Sequence, residues 1–274
     1  MKLTLIDYPH HPLETLYTAY RVCYSAKPVS EIREEIDSGK ISPEQIKKFL
    51  RDRFKTGHTS PLRQLHFVFV IEGVSRALTA QFNRHVIGVD RCEMSQRYVK
   101  INSSTDKYDY EDRTNKYPVI TPDSIRNYPT NDDYPDDHPF EYFQDNIEAV
   151  FEDYDSMIGF YEVRQEDARY MLPMGTETRE QFSMSLEAMQ RFLDVRLCEK
   201  AQWEIRDMAW LMYKLMRKRF PLLSALLGVK CWANRLGYCD EHKSGYEACK
   251  WSRSRPHKAD LMMMWKKSIK KRSD

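Results

Sequence analysis

The stretch from Arg84 to Tyr98 gathers side chains that can do chemistry: Arg84, His85, Arg91 and Arg97 stand among Asp90, Glu93, Ser95 and Tyr98. A guanidinium donates two parallel hydrogen bonds, so clustered arginines suit phosphate or carboxylate ligands. The stretch must be positioned by what precedes it. Val74, Ala77, Leu78 and Phe82 recur at helical spacing and predict a helix over Ser75–His85, which delivers Arg84; Gly88 and Asp90 then break the pattern. Two readings are open from these residues: a binding loop held by a packed helix, or a solvated charged turn.

Other elements frame that loop. Lys2–Ile6 alternates as a strand, and Leu13–Cys23 carries a helical stripe. Ser42 can cap a helix that runs to Phe54, with Pro43 in the first helical position. Gly57–Pro61 is a turn by composition, placing His58 and Ser60 at the entrance of a β-rich run, Leu65–Ile71. Residues 103–140 are rich in Asp, Asn, Tyr, Pro and Ser and read as an irregular insertion or lid. A long amphipathic helix follows from Phe140 to Val163, then an extended segment from Thr176 to Met184. Two more helices are predicted, Ser185–Leu197 and Ala201–Phe220. Arg196 lies on the last turn of the first, flanked by apolar residues, where a half-buried guanidinium needs an anionic or hydrogen-bonding partner.

Composition narrows the class. With 41% hydrophobic and 31% charged residues among 274, a packed core is expected. No apolar run approaches the roughly 20 residues of a bilayer span, and the start lacks a signal-peptide pattern, so a cytoplasmic protein is expected. With only 9 glycines and no phosphate-binding glycine fingerprint, a dinucleotide fold is disfavoured. From Lys250 onward nine Lys or Arg face two Asp, which leaves the rest of the chain near −5. That basic tail, 250–274, reads first as a solvated terminus; contact with nucleic acid or an acidic partner is the other reading, and its apolar stretch Leu261–Trp265 could dock on another subunit. Cys231, Cys239, His242 and Cys249 make up a donor set known for zinc, but their irregular spacing favours free thiols, and no metal is expected.

Four segments together resemble the flavin-dependent thymidylate synthase (ThyX) family. They are His58-Thr59-Ser60-Pro61; Glu72-Gly73-Val74-Ser75-Arg76-Ala77-Leu78-Thr79 running to Gln81, Arg84 and His85; Glu93-Met94-Ser95-Gln96-Arg97-Tyr98; and Asp167-Ala168-Arg169-Tyr170-Met171-Leu172-Pro173 with Arg196 to Arg206, which contains Ala201-Gln202-Trp203-Glu204-Ile205-Arg206. The match runs in order from about Leu3 to Cys249, so 1–249 would be the catalytic domain. The resemblance implies an α+β fold, a single domain with an antiparallel sheet packed by several long helices, assembling as a homotetramer with shared active sites. It implies FAD as cofactor, NADPH and methylenetetrahydrofolate as co-substrates, and methylation of dUMP at C5.

By the same resemblance Arg196 stabilises negative charge on the uracil, and Arg196 and Ser95 are the residues on which the reaction depends. Gln81, Arg84, Glu93, Ser95, Gln96, Arg97, Arg169 and Arg196 would hold dUMP. His58, Ser60, Arg84, His85, Ile87, Glu93, Ser185 and Arg191 would meet the flavin. The departures from the motif fall in this second set. The family has Arg after Arg-His where this chain has Val86, and eight residues rather than seven then lead to Ser95. Arg91 is expected to reach round that longer loop toward the cofactor. The family's Glu-His is here Arg63-Gln64, its Asn-x-Arg is Ser185-Leu186-Glu187, and a further Asn is Arg191. A glutamate in place of an arginine beside a diphosphate is expected to weaken FAD binding. Two other functions are consistent with these departures: C5 modification of another pyrimidine nucleotide, by methyl or hydroxymethyl transfer, and nucleotide binding without catalysis.

Overall fold

The computed structural model describes residues 1–101, 117–129 and 138–273. Strand β1 (Lys2–Asp7) leads into helices α1 (Pro12–Tyr24), α2 (Val29–Asp37) and α3 (Pro43–Arg53). Ser42 starts α3 with a full capping box: its hydroxyl accepts from the Gln45 backbone and the Gln45 side chain accepts from its own N–H. A 3-10 turn, Ser60–Gln64, precedes β2 (His66–Ser75), α4 (Arg76–Phe82) and β3 (Val89–Glu93). Next come α5 (Asp123–Arg126), α6 (Pro139–Gly159), α7 (Gln165–Ala168), β4 (Glu177–Ser185) and α8 (Leu186–Arg196). The chain ends in α9 (Trp203–Arg219), α10 (Pro221–Ser224), α11 (Lys243–Glu247) and α12 (Lys258–Ser273).

The strands form one sheet in the order β1-β2-β4-β3. β3 and β4 run antiparallel: Ser185 donates to the Gly88 carbonyl at one end and Met94 to that of Arg179 at the other. The fold is α+β. Among the described residues no helix is long and apolar enough to cross a membrane.

Contacts divide the chain into two compact units. The first comprises 1–2, 70–84 and 91–181; the second comprises 3–69, 85–90 and 182–274. In the first unit, Ile101, Tyr117, Val119, Ile147, Phe151, Tyr154 and Ala168 form a core under α6. In the second, Leu16, Tyr20, Ile46, Leu50, Phe67, Phe69, Phe182, Met189, Phe192, Met208 and Met212 are buried, and Phe69 stacks on Phe182 with ring centres 5.3 Å apart. Each such side chain contributes about 1.5–3 kcal/mol by leaving water.

Several expectations change. The helix before the central stretch ends at Phe82, not His85, because Asn83 closes it; part of the supposed loop is strand β3. That strand escapes a hydrophobic pattern because its inward residues after Val89 are Arg91 and Glu93, whose partners are polar. The basic tail is not frayed from residue 250 onward. Tyr246 donates to the carbonyls of Ser252 and Arg255, and Lys258 donates to that of Cys239, so the segment is bonded back before α12 begins. Of the segment read as a lid, 103–116 and 130–137 lie outside the described residues; between them stand the bridge from Val119 to Thr176 and helix α5.

Candidate functional site

In the second unit the turn after α3 fixes His58. Its Nδ1 lies 2.8 Å from the Tyr24 hydroxyl and its Nε2 2.6 Å from the Ser60 hydroxyl. A neutral imidazole donates through one nitrogen and accepts at the other, so this pair of hydroxyls fixes the ring plane. Tyr20 donates to the His58 carbonyl and holds the backbone as well. Burial pushes the Tyr20 phenol up to about 12, so it remains a donor at any physiological pH.

Helix α8 begins beside this turn. Ser185 caps it, its hydroxyl accepting from the Ala188 N–H. Gly88 packs against that cap: it has φ +71°, and a Cβ there would come within 2.8 Å of the Ser185 hydroxyl. Glycine is therefore required twice over, for conformation and for space. Ile87 and Val86 next to it are 72% and 67% exposed, an unusual state for branched apolar side chains in a packed unit.

Glu187, in the first turn of α8, is buried with its side chain only 6% exposed. Arg63 Nε donates to its Oε2 at 2.6 Å, and Thr59 Oγ and Arg191 Nη2 donate to its Oε1 at 2.8 and 3.1 Å. Burial alone would raise this carboxyl, but the hydrogen bonds from Arg63 and Thr59 and the charge of Arg191 outweigh it and leave it below the usual range. Two guanidinium groups thus cover the carboxylate that replaces the family's arginine.

At the other end of α8, Arg196 Nε donates to His85 Nε2 at 3.0 Å. His85 can accept there only with its proton on Nδ1, so the bond fixes both the tautomer and the guanidinium plane. Phe192, one turn earlier, meets the His85 ring edge-on at 5.1 Å. An imidazole is thus one partner of the half-buried arginine.

The first unit holds a different set. Arg97 places Nε and Nη2 on Glu166 Oε2 at 3.1 and 3.0 Å, and Arg164 takes the other oxygen at 2.9 Å. Arg169 donates to the Glu166 backbone carbonyl at 3.0 Å. One residue therefore organises both arginines. The Ser95 hydroxyl accepts from the Arg97 N–H at 3.2 Å and its carbonyl from Tyr98 and Val99, which makes a tight turn. Gln96 is buried, its carbonyl accepting from Gln165. Glu93 binds Arg76 at 2.6 Å and accepts from Thr178. Arg84 is exposed and Gln81 half-buried at the end of α4.

Arg91, expected at the cofactor, is turned inward instead. It donates to the Phe82 carbonyl and to Asn83, lies over the Phe82 ring at 4.9 Å, and pairs at 3.6 Å with Glu180. Glu180 is buried on β4, and neither of its oxygens accepts a hydrogen bond from a described residue. Desolvation raises it to about 7 against the opposing charge of Arg91, with Glu93 adding to the rise. Arg91 is thus held by Phe82, Asn83 and Glu180 within its own unit.

The remaining motif residues serve as scaffold. Gln202 caps α9 by accepting from the Glu204 and Ile205 N–H groups, and Arg206 holds Glu199. Among the described residues no three His, Cys, Asp or Glu side chains converge on a metal position, and the His242 ring lies 2.9 Å from the Ser244 hydroxyl. Burial pushes the Cys198 and Cys231 thiols up, which keeps them protonated.

Comparison with known proteins follows from this arrangement. The family model described as thymidylate synthase complementing protein matches residues 4–222. The flavin-dependent thymidylate synthase of Nitratidesulfovibrio vulgaris is 35% identical over 244 residues, 88% of this chain and 91% of that one. This chain belongs to the flavin-dependent thymidylate synthase family. The enzyme of that name from Pyrococcus furiosus is 32% identical over 245 residues, 88% of this chain and 90% of its own. Among solved structures, the Helicobacter pylori ThyX complexed with FAD and dUMP aligns with a TM-score of 0.60 at 19% identity, covering 83% of this chain and all of that one, a likeness of fold. Against this family background the residues that sequence reading passed over as site members are Arg63, Glu187, Glu166 and Glu180. The first two were visible as departures from the motif. The last two gave no signal beyond being acidic.

Proposed function

We propose that this chain is an FAD-dependent thymidylate synthase that methylates dUMP at C5, using methylenetetrahydrofolate and NADPH. The observation that carries the mechanism is Arg196 fixed by His85. A methyl group can be built on C5 only if the uracil ring is electron-rich, and a guanidinium beside the base stabilises the negative charge as N3 ionises. Because His85 fixes the Arg196 plane beforehand, no reorganisation is needed at the moment of reaction. Arg97 and Arg169, with Arg84, Gln81, Gln96, Glu93 and Ser95, would hold the phosphate and base of dUMP. Arg97 carries two donors on one carboxylate oxygen, so the nucleotide phosphate would compete with Glu166 for it.

The groups present suit a flavin: the hydroxyl of Ser60, the oriented imidazole of His58 and the Arg191 guanidinium for its polar atoms and the exposed Ile87 for its ring, with Arg84, His85, Glu93 and Ser185 as further contacts. Bound FAD would supply the hydride that converts the transferred carbon to a methyl group. Arg91 is reassigned here to holding the loop. Assembly as a homotetramer with shared sites is supported by the exposed Tyr98, Phe160 and Tyr170, at 79, 78 and 85% exposure; sedimentation of the purified protein at the monomer mass would overturn it.

The test of function is an anaerobic reaction containing FAD, NADPH, methylenetetrahydrofolate and dUMP, with the product read by mass. The expected result is a gain of one methyl group on dUMP. Turnover of dCMP or UMP with dUMP left unchanged would replace the assigned substrate, and no turnover of any of the three would reject the catalytic assignment.

A further inference from the structure

Four departures from the family motif change charge; all four lie in one unit, and three of them touch. Where the family has Glu and Arg, this chain has Arg63 and Glu187, and they form an ion pair at 2.6 Å. The signs at the two positions are exchanged relative to the family motif. The other two departures are Val86, which loses a cation, and Arg191, which gains one. The charge gained at 63 and 191 equals the charge lost at 187 and 86, so the local balance is kept while the cations have moved. They have also moved outward. The Glu187 side chain is 6% exposed, but those of Arg63 and Arg191 are 61% and 53% exposed. Each arginine spends only part of its five-donor fork on Glu187 and presents the rest to solvent.

Their surroundings suit an extended anion. Arg191, His58 and Thr59 line a cleft of about 1060 Å³ that also carries Arg51 and Lys55. The other basic residues of that cleft are neutralised: Arg235 makes two 2.7 Å bonds to Asp194, and Lys230 lies 2.6 Å from Asp240. Arg63 lines a second cavity of about 660 Å³ with Ser60 and Arg33. Val86, exposed and cationless, cannot contribute to such a site.

We propose that Arg63 and Arg191, both oriented by Glu187, receive the diphosphate of the cofactor in this chain and replace the arginine that the family carries at the position of Val86. The inference rests on the reading that the chain binds FAD. Glu187 is then a positioning residue: it holds two guanidinium groups on one buried carboxylate, and Thr59 locks that carboxylate in turn.

The experiment titrates FAD and riboflavin into the full-length protein and into Arg63→Gln and Arg191→Gln, following flavin fluorescence, with thermal unfolding of each variant alongside. Riboflavin has the ring but no phosphate. The expected result is that each variant loses about tenfold or more in FAD affinity, as for loss of a hydrogen bond to a charged group, while riboflavin affinity is unchanged. Inorganic pyrophosphate should displace FAD from the wild type and do so less well in the variants. Wild-type FAD binding that both variants retain undiminished would overturn the inference alone. Equal loss of FAD and riboflavin in a variant with a lowered Tm would also overturn it, by assigning the arginines a structural role. Absence of FAD binding by the wild type would overturn the flavin reading together with the inference.

Discussion

The unit that carries Arg97 and Arg169 and the unit that carries Arg63 and Arg191 handle similar chemistry in opposite ways. In the first, the motif residues read as nucleotide ligands there, from Gln81 and Arg84 through Arg97 to Arg169, are kept, and Arg91, half-buried, pairs with the buried Glu180. In the second, the motif positions themselves have been rewritten, yet the net charge around α8 is kept by compensating changes. The difference shows what each half must preserve. Gripping a small nucleotide requires named side chains at fixed positions. Accommodating a diphosphate requires positive charge within reach, which several arrangements of arginine can supply.

The sharpest test of that contrast is at Arg196, where no substitute exists. Arg196→Ala should lower kcat about 10²–10³-fold, the scale of losing one preorganised charge-stabilising donor, with dUMP affinity much less affected. His85→Phe keeps a ring against Phe192 but removes the acceptor at 3.0 Å. At saturating FAD a smaller kcat loss of about tenfold is expected there, as for a partner that orients a reacting group. Steady-state kinetics with separate dUMP titrations checks both. Equal losses in the two variants would mean that His85 does more than position Arg196.

The inverted pair offers a test by restoration. Arg63→Glu alone sets a second carboxylate against buried Glu187 and should lower Tm and FAD affinity together. Adding Glu187→Arg recreates opposite charges with the signs exchanged and should recover most of the Tm. Differential scanning calorimetry of the three proteins decides the matter; no recovery in the double variant would show that the two positions are not an exchangeable unit.

A further step down in size is Gly88→Ala. A side chain there is strained at φ +71° and would sit 2.8 Å from the hydroxyl that caps α8. A loss of about 1–3 kcal/mol is expected. Ser185→Ala alone forfeits the cap at about 1 kcal/mol. Combined with Gly88→Ala it also removes the clashing oxygen, so the double variant should be more stable than the two single losses added together. Strict additivity in denaturant unfolding would show that the cap and the glycine are independent.

What could be read in the sequence follows the same division. The Ser42 cap, the α6 stripe and the arginines of the central stretch were legible because local pattern determines them. Strand β3 was not, since its inward residues Arg91 and Glu93 look like a solvated turn until Glu180 and Arg76 are seen beside them. Glu187 was legible as a departure from the motif, but its meaning was not. Its partner Arg63 stands 124 residues away, and no local rule connects them. Helix α12 was read as a basic tail because its apolar residues, Leu261 to Trp265, form a consecutive run rather than a spaced stripe.

The smallest expected effect concerns the feature with no sequence signal at all. Desolvation holds Glu180 at about 7, above the ordinary carboxylate value of 4.5. A carboxyl whose folded pKa is raised binds its proton more tightly in the native state than in the unfolded chain. Between about pH 4.5 and 7 the native protein therefore carries the extra proton, and stability falls as pH rises through that window, levelling off above it. Glu180→Gln removes the titrating group while leaving an amide oxygen for Arg91. Relative to wild type, the variant should be close in Tm near pH 5 and gain on it steadily toward pH 8. Because the pair lies behind the nucleotide loop and not in it, kcat should change little across the same range. A constant Tm difference at all pH values would show that Arg91 holds Glu180 charged throughout, and that the loop closes on a full ion pair rather than on a neutral acid beside an arginine.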